Sequence, residues 1–570
     1  MNNAERLDPE YRTAALRRLE QDELDVLVIG GGVVGAGSAL DAATRGLKVG
    51  LVEARDYAAG TSSRSTKLFH GGLRYLEQFD FGLVFEALRE RRLVLETLCP
   101  HLARPVPFIY PLQRIVDRPY VGMGIGVYDV MGAGRGVPGH HRHLGRRSTA
   151  ASFPSGKRSV IRGAVRFYEG QVDDARHTMM LARTAATYGA LCVTSTRVTE
   201  FVRESDRIAG VRVRDLESGR EATIRAQHVV NAAGIWTDEI QEMVGGRGQF
   251  QVRASKGVHL VVPRNRINSA TGVITRTEKS LLFIIPWGSH WIIGTTDTDW
   301  DLDLAHPAAS RTDIDYLLDH ANSLLQDPLT REDVVGVYAG LRPLLSGESE
   351  STSKLSREHA VASPVRGLTV IAGGKYTTYR VMAEDAVDSA VHDLERTVPP
   401  SVTDRTPLVG ADGYLAAHNA RRLTAERTGL PVATVEHLLG RYGTLVGELF
   451  DLIAAQPGLA EPLQGAPEYL RVEAHYAVSH EGALHLDDVL TRRTRISIEV
   501  PDRGEAAARE VADLVAPLLG WDAAHADREV EHYRLRVRAE RESQEQIDDR
   551  TADAARLGAP DVRMGATSMA

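Results

Sequence analysis

Cysteine is almost missing from this chain: Cys99 and Cys192 are the two among 570 residues. They stand far apart and in no metal-ligand spacing, which excludes a disulfide framework and fits a reducing cytoplasm. An excess of basic residues is also lacking. The net charge of -8 excludes a general nucleic-acid-binding role, so any cationic site is local. No membrane-spanning run occurs; the uncharged stretch Val26 to Leu40 is too short and too rich in glycine. The opening MNNAERLDPEYRTAALRRLEQDE has no apolar core and reads as an N-terminal extension over 1–23, not a signal peptide. Any membrane contact would then be peripheral. What remains is 43% hydrophobic and 25% charged, the balance of an ordinary globular protein long enough to divide into two or three units.

Asp25 to Ala54 reads DVLVIGGGVVGAGSALDAATRGLKVGLVEA. The VLVI run predicts a short buried strand, and Ala36, Ala39, Leu40 and Ala43 give the following helix a small face for close packing on a sheet. Gly30, Gly32 and Gly35 have the GxGxxG spacing, which serves a tight turn, backbone approach to a pyrophosphate and close helix packing. Glu53, with Ala54 beside it, ends the second strand where a carboxylate accepts hydrogen bonds from an unphosphorylated adenosine ribose. A glycine trio alone is weak evidence. Strand, turn, helix, strand and terminal acid together read as a dinucleotide site.

The next stretch, ARDYAAGTSSRSTKLFHGGLRYLE, is polar and glycine-rich, unlike the next helix of a nicotinamide domain. Adjacent glycines cost about 1 kcal/mol each inside a helix, so Gly71 and Gly72 mark a backbone that turns or passes close to a ligand. From Thr61 to Leu76 the segment resembles the pattern T-S-S-x-S-[ST]-K-L-x-H-G-G-[LV]-R-Y-L of the FAD-dependent, quinone-linked glycerol-3-phosphate dehydrogenase family. The resemblance implies an α/β protein with a glutathione-reductase/D-amino-acid-oxidase-like FAD-binding fold, an antiparallel-sheet substrate domain and a C-terminal helical domain. It implies non-covalent FAD touched by Thr61, Ser62, Ser63, Lys67, Leu68, His70, Gly71 and Gly72, with Arg74 and Tyr75 turned toward substrate. Residues 24–398 would form the FAD-binding domain, interleaved with substrate-binding parts mainly at 80–165 and 246–365.

Further segments extend the resemblance. EGQVDDARHTMM places Asp173 as the N-cap of a helix beginning near Ala175. In TSTRVTEF, the Val198 backbone matches an adenine contact, although a purely core strand residue fits almost as well. HVVNAAGIWTDEI ends a strand at Ala232, Ala233 and Gly234, small residues that admit the cofactor, with Trp236 following. His259 in SKGVHLVVP would ordinarily be a core or surface histidine, and the resemblance puts its counterpart in the substrate pocket. IIPWGSHWIIGTTDTD predicts a hairpin turned at Gly288 and Ser289, with Asp297 ordering its loop. Arg342, beyond the apolar VVGVYAGL and directly before Pro343, suits an anion ligand. LTVIAGGKYTTYR closes the cofactor domain at Gly374. Thr377 and Thr378 would sit at a helix N-terminus that favours the negative side of a reduced flavin, and Lys375 would reach flavin or substrate or stand exposed on its turn.

After residue 405 the pattern turns helical, and YLRVEAHYAVSHEGALHLDDVLTRRTRIS resembles the family's C-terminal domain, here 405–540. Arg492, Arg493 and Arg495 suit a helix-end or domain-contact role. Residues 541–570 read as a solvated or frayed polar tail. The histidines of GHHRHLGRR lack acidic companions and read as a basic loop with no metal. The neighbouring PYVGMGIGVYDVMG reads equally as an interfacial lipid patch or a packed glycine-rich element.

These parts imply oxidation of sn-glycerol 3-phosphate to dihydroxyacetone phosphate, with hydride passing from C2 to flavin N5. Arg74, Tyr75, Arg342 and Lys375 would bind substrate. His259 would take the hydroxyl proton, while Arg342 steadies the developing alkoxide. The family further implies electrons passed to a membrane quinone by a homodimer lying on the inner face of the cytoplasmic membrane. A glycerol-3-phosphate oxidase using oxygen is the nearest alternative; an amine or amino-acid oxidase on the same fold and a flavin-binding sensor are more distant ones.

Overall fold

The computed structural model describes residues 4–71, 81–113, 126, 140–245, 250–278, 281–345 and 359–565. Gly72, Arg74 and Tyr75 lie outside these, as does nearly all of PYVGMGIGVYDVMG.

The strand Leu24–Ile29 is buried at all six positions, as a strand covered on both faces requires. It pairs in parallel with Val49–Val52 on one side and Glu221–Asn231 on the other. Leu191–Val193 and Leu368–Gly373 extend the parallel part, and His359–Val365 adds an antiparallel edge. The long strands Thr196–Glu204 and Arg207–Asp215 join through the N-terminal part of Glu221–Asn231, completing eight strands. Helices Val33–Thr44, Asp174–Thr187 and Tyr379–His392 pack against this sheet. A Cβ on Gly37 would come within 3.2 Å of both Ala383 and Tyr379, so the small residue permits the close helix contact.

A second sheet of ten strands carries the long strand Val252–Pro263 between the hairpin Leu281–Trp287/His290–Gly294 and the strand Gly336–Leu345. It is antiparallel apart from one parallel pairing, Gly272–Arg276 with Ala103–Leu112. The hairpin turns at Gly288 and Ser289, as the sequence indicates. Beyond residue 414 the chain is mainly helical, with one short hairpin at Pro462–Leu463/Ala466–Leu470.

Buried ion pairs join the helical region to the cofactor sheet. Asp56 is fully buried and takes Arg492 Nε at 2.6 Å and both Arg493 Nη atoms at 2.8 and 2.7 Å. Asp174 takes Lys67 Nζ at 2.7 Å and Arg495 Nη2 at 2.5 Å, and Glu481 takes Arg176 Nη2 at 2.6 Å. Arg492, Arg493 and Arg495 thus make domain contacts. Asp173 caps the helix Asp174–Thr187, one residue before the expected start, and Arg495 and Arg441 hold its carboxyl below the usual carboxylate range against the opposing effect of burial.

The C-terminal expectation fails. Residues 541–565 are no solvated tail: a helix runs over Ala523–Glu545, another over Asp549–Arg556, and Ala552, Arg556 and Arg563 are buried. Ion pairs explain the difference, with Asp549 on Lys256 at 2.5 Å and Arg563 on Asp488 at 2.9 Å. Their partners are hundreds of residues away or on other helices, beyond the reach of a local composition reading.

Candidate active site

The two sheets meet around a cavity of about 1140 Å³. At one end the strand Leu24–Ile29 stops at Gly30, whose φ of +109° and position leave no room for a side chain: a Cβ would lie 2.7 Å from Ala232 O. Gly32 caps the helix Val33–Thr44, and Val33 N–H donates to Ser62 Oγ at 2.9 Å. Gly35 sits behind the turn, where a Cβ would fall 1.9 Å from Gly30 O. The first amides of a helix have no intrahelical acceptor and favour negative charge, so this end is built for a diphosphate. Glu53 accepts from Gly31 N–H at 2.6 Å and Arg55 N–H at 2.8 Å; burial pushes its carboxyl up against those hydrogen bonds. Ala54 and Val198 line the same end, and Ala233, Gly234 and Trp236 form another wall.

Further in, Thr61 and Ser62 line the cavity, with Thr61 Oγ1 donating to Leu341 O at 2.6 Å. Ser63 faces away, and its carbonyl accepts from Lys67 Nζ at 3.0 Å. Lys67 does not line the cavity. It is fully buried with φ +59°, and its ammonium goes to Asp174, because a buried carboxylate at that point demands a cation. Burial and Arg495 press the lysine down to about 8. Leu68 and His70 return to the cavity wall, with Gly71 buried beside them. Thr377 Oγ1 donates to His70 O and accepts from His70 N–H, both at 3.2 Å. Gly374, Lys375 and Thr377 complete this wall, while Thr378 is buried behind it at the start of the helix Tyr379–His392.

The opposite wall belongs to the second sheet. His259 pairs in register with Tyr338 and Gly294; its ring stacks on Tyr338 at 4.7 Å, and Nε2 meets Thr66 Oγ1 at 3.1 Å. A Cβ on Gly294 would lie 2.2 Å from the imidazole, so that glycine makes room for the ring. Burial, then the charges of Arg342 and Lys67, hold His259 well below the ordinary histidine range, and it is neutral at physiological pH. Arg342 lies within the strand Gly336–Leu345, not beyond it, opposite Ser255. Its Nη2 donates to Thr295 Oγ1 at 3.0 Å and Thr296 O at 3.2 Å; Nη1 lies 3.4 Å from Ser255 Oγ and 3.5 Å from Asp297. Asp297 also accepts from Ser255 Oγ at 2.5 Å, so it orders the loop as expected.

The fold therefore gathers the glycine turn, Glu53, Thr61, Ser62, His70, Thr377, Lys375, His259 and Arg342 around one cavity. Ser255, Thr295, Tyr338 and Thr66 were not singled out in the sequence. Only Thr66 carried a signal, as part of the Thr61–Leu76 pattern.

A family model described as FAD dependent oxidoreductase matches residues 25–380, and one described as the C-terminal domain of alpha-glycerophosphate oxidase matches 401–526. Glycerol-3-phosphate dehydrogenase of Mycobacterium leprae is 59% identical over 561 residues, covering 98% of this chain and 96% of that protein. The chain belongs to the FAD-dependent glycerol-3-phosphate dehydrogenase family. The mitochondrial glycerol-3-phosphate dehydrogenase of Homo sapiens is 35% identical over 539 residues, covering 90% of this chain and 73% of that one. The glycerol-3-phosphate dehydrogenase of Bacillus halodurans, solved with FAD, superposes with a TM-score of 0.76 at 29% identity, over 93% of this chain and 98% of that one. FAD is accordingly the cofactor of this family member, and the glycine turn, the helix N-terminus and Glu53 fit its diphosphate and ribose.

Proposed function

We propose that the protein oxidises sn-glycerol 3-phosphate to dihydroxyacetone phosphate, and that His259 and Arg342 carry the chemistry on the protein side. The observation behind this reading is their placement. They stand on neighbouring antiparallel strands and line the same cavity into which the glycine turn opens. FAD, held by the glycine turn and Glu53, would supply the two-electron acceptor, with its N5 the acceptor position for hydride from substrate C2. His259 Nε2, held beside Thr66 Oγ1, receives the hydroxyl proton; its neutrality keeps it available as a base. The positive charge that adds to burial in depressing the histidine also lowers the energy of a developing alkoxide, and Arg342 is the group that steadies it. Lys375 and Arg342, with Arg74 and Tyr75 of the Thr61–Leu76 pattern, bind the phosphate and hydroxyls. The remaining cofactor contacts are those lining the cavity, from Gly30 to Thr377.

Electrons leave to a membrane quinone, from a homodimer attached peripherally to the inner face of the cytoplasmic membrane. Consistent with peripheral attachment, no helix among the described residues is long and apolar enough to cross a membrane. An oxygen-using oxidase is the second reading, favoured by the description of the C-terminal family model.

Anaerobic mixing of the FAD-loaded protein with glycerol 3-phosphate tests the reaction. Bleaching of the yellow oxidised flavin with one dihydroxyacetone phosphate formed per flavin is the expected result, and an unchanged spectrum refutes it. Rapid peroxide formation in air, with no stimulation by a quinone, would favour the oxidase.

A further inference from the structure

The segment after the helix Asp549–Arg556 reaches the cofactor cavity. Leu557, Ala559, Pro560, Asp561 and Arg563 line it together with Glu53, Ala54 and Arg55. This stretch lies beyond residue 526, where the match to the C-terminal family model ends. The C-terminal family model therefore says nothing of the segment's place in the cavity.

The segment is fastened along its length. Arg556 closes the turn by donating to Ala559 O at 3.2 Å and meets His306 Nδ1 at 3.2 Å. Asp561 accepts from Arg55 Nε at 2.9 Å and pairs with its Nη2 at 2.8 Å. Arg563 is buried, donating to Ser195 Oγ at 2.5 Å and to Asp488 at 2.9 and 3.2 Å. Partly and fully buried charge pairs of this kind hold a segment in place more firmly than exposed ones.

The fastening point identifies which part of the cavity is covered. Arg55 follows Glu53 by two residues, and Glu53 marks the ribose end of a dinucleotide site. Leu557 is 50% exposed and Met243 40% exposed, and both present apolar surface to the same cavity. An adenine ring takes such surface readily.

We propose that residues 557–563 form a C-terminal clamp on the adenosine monophosphate half of FAD, which governs how tightly and for how long the chain retains its non-covalent cofactor. The clamp acts on the half of the cofactor that FMN lacks, and this makes it separable from general loss of structure.

The test is titration of apo-protein with FAD and, separately, with FMN, for the full chain, a chain ending at Arg556, and Asp561→Asn. The truncated chain should bind FAD about tenfold or more weakly and release it correspondingly faster, while its FMN affinity stays within about twofold. Asp561→Asn keeps the segment and weakens its tie to Arg55, so it should show the same FAD-selective change at about threefold or more. It decides the matter if the truncated chain does not fold. Unchanged FAD affinity and release in both variants would overturn the clamp, as would FAD and FMN weakening by the same factor.

Discussion

Arg493 and Arg342 carry the same guanidinium into two different surroundings. The Arg493 side chain is 1% exposed, and both its Nη atoms go to the fully buried Asp56 carboxylate. The Arg342 side chain is 23% exposed on a cavity wall, and its contacts include a threonine hydroxyl at 3.0 Å, a carbonyl at 3.2 Å and one longer approach, 3.5 Å, to the Asp297 carboxylate. A bidentate carboxylate at 2.7–2.8 Å grips both ends of a guanidinium, whereas a hydroxyl, a carbonyl and one longer carboxylate contact orient it toward the cavity. The junction between the helical region and the cofactor sheet is thus a matter of stability, and the cavity wall is where the proposed function puts the chemistry.

The strongest way to break that comparison is at the junction. Asp56→Ala leaves Arg492 and Arg493 without their shared buried carboxylate and should cost about 3–5 kcal/mol of stability, read by denaturant unfolding. Arg342→Ala should do the converse. The turnover efficiency kcat/KM for glycerol 3-phosphate should fall about 10²–10³-fold, while unfolding shifts by less than about 1 kcal/mol. Should Arg342→Ala unfold the protein as Asp56→Ala does, the division between the two regions would be wrong.

A smaller effect concerns His485, which bridges Glu217 at 3.0 Å and Glu529 at 2.9 Å. Burial and Arg563 act to lower it, and the hydrogen bonds to the two carboxylates prevail and carry it up to about 10. Because the folded value lies above the ordinary 6.5, its contribution is complete below about pH 6.5 and is lost as pH rises through about 10. Unfolding free energy should therefore decline between those limits, and His485→Gln should remove about 1.5–3 kcal/mol at pH 6 and flatten that decline.

The contrast also shows what a sequence can reveal. The N-cap Asp173 and the hairpin at Gly288 were legible because each depends on neighbours within a few residues, and the turn at Gly30 because its glycine spacing follows a strand directly. The ion pair of Lys67 was not legible because its partner, Asp174, is over a hundred residues away and nothing local marks a lysine that neutralises a buried carboxylate. The C-terminal segment failed for the same reason: Arg563 and Asp549 look solvated in isolation and are fixed by Asp488 and Lys256. His259 stood out only through the family resemblance, and its neutrality required the three-dimensional placement of Arg342 and Lys67.

Single-turnover reduction of the flavin by glycerol 3-phosphate, compared between the natural chain and His259→Ala, tests the central claim most directly. With saturating substrate, the natural rate should show no acid limb near the ordinary histidine value of 6.5, since His259 stays neutral there, and His259→Ala should be slower by about 10²–10⁴-fold with bound FAD retained. A His259→Ala protein that reduces its flavin at the natural rate would contradict the assignment of the cavity wall as the site of chemistry.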